Sequence, residues 1–325
     1  MIINRITRNL FPDVRFGGYT IAAVQSYFCT LNEIASIEDA ISDGDGFCVI
    51  YDDVPLVTDD FFSSLAKTCR ETGLSFSVGD GFFAPARRFD TLTPCPDTRG
   101  EKFIPENYPR FLSVINKRIL DGHKKNGVII YDENSTFIDF SVHICSKAVI
   151  RPFVTVSGSS YVGYGAFIGE HSVVKNASVG DGCRVLSSTL DSCRVGDGTT
   201  VGPYAYLRNG ATVEKNCRIG DFVEIKNSRL GDGVKASHLA YIGDAEVGDG
   251  TNVGCGSVFC NYDGKTKHPT SVGKNVFIGA NVNLVAPITV GDGAFIAAGG
   301  TVTEDVPPDS FVIGRSRQIN KSRPK

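Results

Sequence analysis

From Ile138 onward an aliphatic residue returns every five or six positions, and this period decides what the chain can fold into. The series runs Ile138, Ile144, Ile150, Val156, Val162, Ile168, Val174, Val179, Val185, Leu190, Val195, Val201, Leu207, Val213, Ile219, Ile225 and Leu230. After Ala236 it resumes at Ile242, Val247, Val253 and Phe259, then continues through Val272, Ile278, Leu284, Val290, Ile296 and Val302. Such a period fits neither the helical repeat nor the alternation of an ordinary strand. It fits short strands joined at tight corners, three hexads to a triangular coil, with about nine coils of roughly 18 residues between 138 and 306. Four residues after the aliphatic stands a small or β-branched residue (Ala166, Ser172, Ala205, Ala211, Thr251, Ser257, Ala294) suited to a crowded corner. The motif VGDG recurs from 179, 195, 247 and 290, and its glycines supply the backbone freedom of the turns. A sandwich of short strands would space its turn signals at roughly 8–12 residues instead.

The chain has 325 residues and a net charge of −3, so no general field favours nucleic acid or an anionic membrane as partner. Anionic ligands must be held by local groups of Lys and Arg. No apolar run reaches the roughly 20 residues of a membrane span, and the start, MIINRITRNLFPDV, lacks the basic-then-apolar layout of a secretory signal. The ten cysteines show no zinc spacing; Cys255 and Cys260 are the closest pair, with no His following at finger distance. Reduced, half-buried cysteines in a cytoplasmic protein are expected.

Residues 1–105 show no hexads and read as a small α/β domain: FCVIYDDVPLV at 47–57 as a buried strand, TDDFFSSLAKTCRETG at 58–73 as an amphipathic helix. A helical linker is expected over 106–130, the solenoid over 131–315 and a tail over 316–325. One interruption breaks the repeat between Phe259 and Val272, where CNYDGKTKHPTS forms an insert. A loop extruded from a regular solenoid is a usual place for function. With Asn261, Tyr262, Lys265, Lys267 and His268, it is a candidate lid over an anionic ligand.

Polar residues that depart from the repeat concentrate between 204 and 268. Arg208, Glu224 and Lys226 lie about one coil apart, and His238, Tyr241 and Asn252 one coil further. Coil stacking therefore gathers them on one strip. Arg clamps a phosphate with a planar fork and Lys as a point charge. His238 suits a general base near neutrality, with Glu224 expected to orient that imidazole or the substrate amine.

The stretch VGPYAYLRNGATVEKNCRIGDFVEIKNSRLGDGVKASHLAYIGDAEVGDGTNVGCGSVFCNYDGKTKH closely resembles the acetyltransferase domain of the bacterial bifunctional enzyme that makes UDP-N-acetylglucosamine, a glucosamine-1-phosphate N-acetyltransferase joined to an N-acetylglucosamine-1-phosphate uridyltransferase. The resemblance runs without gaps from about Val201 to Arg315. It implies a mainly β fold, a left-handed parallel β-helix, preceded by the small α/β domain and a connector helix. It implies that His238 takes a proton from the glucosamine amine, that Arg208 and Lys226 hold the sugar phosphate, and that Tyr241, Asn252 and Lys267 complete the sugar pocket. Asn261 and Tyr262 would line the junction with acetyl-coenzyme A, where a backbone N–H serves as oxyanion donor. Cys255, Ala280, Ala298 and Arg315 match coenzyme-binding positions, and Arg315 would meet a coenzyme phosphate. A homotrimer is implied, and no metal for acetyl transfer. Asn209 stands where the family usually has Pro, and Ala280 where Ser is common. The N-terminal part is less than half the length of the family's uridyltransferase. It has RFGGYT at 15–20 in place of a Gly-rich, Arg-containing loop, and Asp53 as a single carboxylate at a vestigial metal position. Loss of uridyltransferase activity is expected.

Acetylation of another amino sugar, such as galactosamine 1-phosphate, stays open, as does a regulatory solenoid that binds a sugar nucleotide. A hexapeptide carbonic anhydrase needs three His on neighbouring coils. His143, His171, His238 and His268 do not occupy matching coil positions.

Overall fold

The computed structural model describes residues 108–321 without a break and, before them, Ile3–Ile6, Asn32–Glu33, Phe47–Tyr51, Asp59–Thr72, Ser75–Val78, Gly81–Ala84 and Leu92–Pro94. The chain divides into two compact units, Met1–Ile119 and Leu120–Lys325. In the first unit, six strands form one mixed sheet in the order Asn32–Glu33, Ile3–Ile6, Phe47–Tyr51, Gly81–Ala84, Ser75–Val78, Leu92–Pro94. Helix α1 (Asp59–Thr72) buries Phe61, Phe62 and Leu65, the apolar face read from sequence. The segments carrying RFGGYT and Asp53 lie outside the described residues.

Helix α2 (Tyr108–Lys125) occupies the expected connector, and the boundary between the units falls inside it. It ends on His123, Lys124 and Lys125; the two lysines are cations that suit the negative end of the helix dipole, while burial pushes the His123 imidazole down. Gly127 follows at φ +83°, the left-handed turn that glycine makes without strain.

The second unit is a parallel β-solenoid of about ten turns. It exceeds the expected nine because pairing begins before residue 138, with Ile129–Ile130 against Val149–Ile150, and ends after 306, with Phe311–Val312 against Phe295–Ile296. Inward residues stack in columns. Ile150, Ile168, Val185, Val201, Ile219, Ala236, Val253, Ile278, Ile296 and Val312 pair in sequence along one face. Ile144, Val162, Val179, Val195, Val213, Leu230, Val247, Val272 and Val290 do so along another. Both columns are buried save Val312 at the open end, and the proposed corner residues, from Ala166 to Ala294, are buried as well. Each fully buried aliphatic contributes roughly 1.5–3 kcal/mol, an interior that no single coil could build alone.

The VGDG motif has a geometric reason. A Cβ on Gly180 would lie 2.5 Å from Asp197 Oδ1 and 2.7 Å from Asp197 N, so the coils touch where that glycine sits. The Asp then accepts a backbone N–H from the coil below: Asp181 N–H to Asp197 (3.1 Å), Asp232 N–H to Asp249 (3.0 Å), Lys274 N–H to Asp292 (2.7 Å). The closing glycine takes positive φ, +62° at Gly182.

The tightest approach is at Gly220, where a Cβ would sit 1.8 Å from the Ser237 carbonyl oxygen. Both partners are backbone, so Gly220→Ala must part the coils. A loss of about 1–3 kcal/mol is expected, read as a lowered melting temperature, together with impaired function at the residues beside it. A wild-type melting curve for this variant would contradict the packing described.

Candidate active site

Two strands are far longer than the rest, Arg218–Lys226 and Lys235–Gly243, and both run continuously around one corner of the coil. They pair in register, Asp221 with His238, Glu224 with Tyr241, and Lys226 with Gly243. The coil below adds Tyr206 against Glu224 and Arg208 against Lys226. The 18-residue step thus brings Arg208 and Lys226 together as expected from sequence.

At the corner itself, His238 Nδ1 stands 2.6 Å from Asp221 Oδ1. The imidazole is therefore held by Asp221 and not by Glu224. Glu224 is engaged elsewhere: Arg208 donates to its Oε1 from Nε (2.8 Å) and Nη2 (2.7 Å). The His238 hydrogen bond and ion contact hold the Asp221 carboxyl below its usual range. The corner continues upward through Cys255, Ala280 and Ala298. The backbone shows the sequence of coils: Gly256 N–H donates to Leu239 O, Asn281 N–H to Cys255 O (2.7 Å), and Gly299 N–H to Ala280 O (2.8 Å). Small residues are required along it, since a Cβ on Gly254 would lie 2.6 Å from Ala280 N, and one on Gly279 2.5 Å from Ala298 N. Arg315 reaches its end, with Cδ 3.6 Å from where a Gly299 Cβ would stand. Four positions assigned to the coenzyme by resemblance are thus successive steps of the row that begins at His238.

Beside this row lies a second cluster. Lys226 is only 8% exposed and places Nζ 3.3 Å from both Asp244 oxygens. Asn227 Nδ2 donates to Asp244 Oδ1 (2.6 Å) and Asn261 Nδ2 to Oδ2 (2.5 Å). Burial pushes the Asp244 carboxyl up, but hydrogen bonds from Asn227, Lys226 and Asn261 outweigh it and hold the group below its usual range. Asn261 Nδ2 also reaches Tyr241 OH (3.3 Å), tying the inserted loop to the site. With Lys267 and the Asp244 carboxylate beside it, Lys226 is held above its usual range, whereas Lys267 is lowered by the Lys226 ammonium beside it. Two amines so close favour an arriving anion, which would let both hold full charge.

The insert spans 261–269 between strands Val258–Cys260 and Thr270–Val272. Asp263 accepts the backbone N–H groups of Lys265 and Thr266 (2.7 Å each) and faces His268 Nε2 at 2.7 Å. Those contacts hold the Asp263 carboxyl well below the carboxylate range, the His268 hydrogen bond first among them. Lys267 and His268 border an open groove of about 720 Å³ shared with Asn227 and Asp244.

Some sequence-derived positions are not gathered. Asn252 lies on the opposite flank of the corner, between Lys235 and Phe277 in register, away from Tyr241 and Arg208. Tyr262 is exposed and pairs only by a backbone bridge to Lys267 among the contacts described. Asn209 sits at φ +52°, a value that a proline ring forbids. Sequence reading missed Asp221, Asp244 and Asn227. The signal for two of them was present: Asp221 stands 17 residues before His238 and Asp244 18 after Lys226, one coil in each case.

Residues 192–227 match the family model of bacterial transferase hexapeptide (six repeats), and 269–304 match the hexapeptide repeat of succinyl-transferase. This is a hexapeptide-repeat solenoid. Its similarity to the bifunctional GlmU proteins is strong. The protein of Brevibacillus brevis is 47% identical over 207 residues, covering 64% of this chain and 45% of the relative. That of Clostridioides difficile is 48% identical over 208 residues, with the same two shares. The chain spans about half the length of these curated relatives. The left-handed form implied by the resemblance agrees with this match. Among solved structures, an Arabidopsis UDP-N-acetylglucosamine acyltransferase aligns over 54% of this chain and 68% of its own, at 19% identity and a TM-score of 0.47, too remote to bear on chemistry. Among the described residues no group of three or more His, Cys, Asp or Glu could hold a metal, and no helix is long and apolar enough to cross a membrane.

The hexapeptide solenoid leaves six cysteines free, of which Cys255 is exposed while Cys183 and Cys193 are buried, their thiols pushed up by burial to about 11 and about 12. N-ethylmaleimide should therefore label Cys255 well before Cys183 and Cys193. Peptide mass spectrometry reads the difference, and equally fast labelling of Cys183 or Cys193 would contradict the burial described.

Proposed function

We propose that the solenoid transfers the acetyl group of acetyl-coenzyme A to the amine of glucosamine 1-phosphate. The observation that carries this reading is the arrangement of one exposed imidazole at the foot of a row of small residues, beside a half-buried cation cluster. The row accommodates a thin chain such as the coenzyme's arm. Arg208, Lys226 and Lys267 take the sugar phosphate, with Tyr241 contacting the sugar. His238 stands as general base, and Glu224, through Arg208, shapes the phosphate side. Asn261 and Tyr262 line the thioester end, where a backbone N–H of the insert stabilises the oxyanion. A freed amine is already a good nucleophile, so no metal is called for. The assembly is a homotrimer, and the protein is cytoplasmic. Uridyltransferase activity is lost, because one carboxylate at Asp53 does not hold a nucleoside triphosphate and its metal.

Thiol release from acetyl-coenzyme A is the test, run in parallel with glucosamine 1-phosphate, galactosamine 1-phosphate and unphosphorylated glucosamine. Turnover with glucosamine 1-phosphate, and much weaker turnover without the phosphate, is expected. Silence with all three overturns acetyl transfer to an amino sugar. Preference for galactosamine 1-phosphate changes the acceptor only. Supplying UTP and magnesium to the product tests the N-terminal unit: formation of a UDP-sugar contradicts its loss of activity.

A further inference from the structure

We infer that Asp221 is a positioning residue for His238, fixing its tautomer and ring orientation so that Nε2 alone faces the acceptor amine. The inference rests on the acetyl-transfer reading for its consequence, and on geometry for its substance. Asp221 Oδ1 lies 2.6 Å from His238 Nδ1. The Asp221 carboxyl is held below its usual range by that contact, so at neutral pH it has no proton to donate. The hydrogen between the two atoms therefore belongs to Nδ1, which leaves the Nε2 lone pair free.

The fold builds this pair deliberately close. Gly220 and Ser237, the residues just before, are the point where the two coils approach most tightly. Phe222 and Leu239, the residues just after, both turn the corner with positive φ, +56° and +35°. Asp221 and His238 thus leave the backbone from equivalent positions one coil apart, paired in register. On the coil below, the group stacked at this corner is Asp221; on the coil above it is Cys255. Along its own strand the nearest ionisable side chains, Lys235 and Tyr241, are three residues away on either side. Glu224 is taken by Arg208.

In the reaction, the amine nitrogen attacks the thioester carbonyl and forms the C–N bond. Its surplus proton passes to His238 Nε2 as the tetrahedral intermediate forms. The C–S bond then breaks, and the imidazolium returns that proton to the leaving thiolate, giving coenzyme A thiol. Asp221 accepts no proton at any step; it holds Nδ1–H and balances the transient imidazolium.

The test compares Asp221→Asn, Asp221→Ala and Asp221→Glu with the full-length wild-type chain. Expected for Asn and Ala is a loss in kcat on the order of 10- to 10²-fold, with KM for acetyl-coenzyme A and for the acceptor near wild type and an unchanged melting temperature. Asp221→Glu should recover part of kcat, a rescue that a purely structural role would not give. Independently of turnover, nitrogen-15 NMR of the free protein should show His238 with its proton on Nδ1, and a shift toward the Nε2–H form in Asp221→Asn. Full kcat in Asp221→Asn, or an Nε2–H imidazole in the wild type, overturns the inference while leaving acetyl transfer in place. A wild type that turns over no amino sugar defeats the acetyl-transfer reading instead. Wild-type Nδ1–H then still supports the pair.

Discussion

Replacing His238 by Ala is expected to reduce kcat on the order of 10²- to 10⁴-fold, with little change in KM for acetyl-coenzyme A. The direction follows from where the imidazole stands. It is exposed at the corner, its side chain 59% accessible and hydrogen-bonded to Asp221, so truncation opens little apolar surface. Stability should therefore change by less than about 0.5 kcal/mol, as for an exposed position away from packing. What the variant loses is the acceptor for the amine's proton, which must leave as the C–N bond forms. A rate loss without loss of folding or of coenzyme affinity, measured by steady-state kinetics beside calorimetric titration of coenzyme A, is the outcome expected. Retained kcat would move the base to another group.

Lys226→Met should fail in two separable ways. Lys226 is one of the few buried charged residues described, and its removal leaves the Asp244 carboxylate with two amide donors and the exposed Lys267 as its remaining counter-charge. Breaking a buried pair costs about 3–5 kcal/mol when the partner is stranded. Because Asn227 and Asn261 still hold Asp244, about 2–3 kcal/mol is expected, seen as a shifted denaturant midpoint. The double change Lys226→Met with Asp244→Asn should recover much of that stability, since the stranded charge is gone. It should not recover acceptor binding. A charge-assisted contact to phosphate contributes about 1.5–3 kcal/mol, which is a rise in acceptor KM of roughly 10- to 10²-fold. Restored KM in the double variant would contradict the assignment of Lys226 to the phosphate.

The period of the sequence made the solenoid legible because a hexad leaves one answer for where each aliphatic points. Ile150, Ile168, Val185 and Val201 stack as that period requires. The same step made the Arg208–Lys226 pair predictable and located the insert between Phe259 and Val272. What the sequence did not yield was which neighbour within a coil step each polar side chain would choose. Glu224 and Asp221 lie three residues apart on one strand, and both are acids near His238 in sequence terms. The bend of the strand at Asp221 and Phe222 sends them to different partners, and periodicity carries no information about that bend. Asn252 shows the same limit. Its coil position was right, but the corner places it on the other flank. The positive φ of Asn209 was similarly invisible, because Asn tolerates both regions of backbone space.

The central claim is that one corner row and one cation cluster on this solenoid unite an acetyl thioester with a phosphorylated amino sugar. Incubating the chain with carbon-13 acetyl-coenzyme A and glucosamine 1-phosphate, and following the labelled carbonyl by NMR, tests it most directly. The account predicts that the label passes from thioester to amide, with one equivalent of coenzyme A thiol per N-acetylglucosamine 1-phosphate formed and transfer by His238→Ala slowed on the order of 10²- to 10⁴-fold. Label that stays in the thioester, or appears as free acetate without amide, would contradict it.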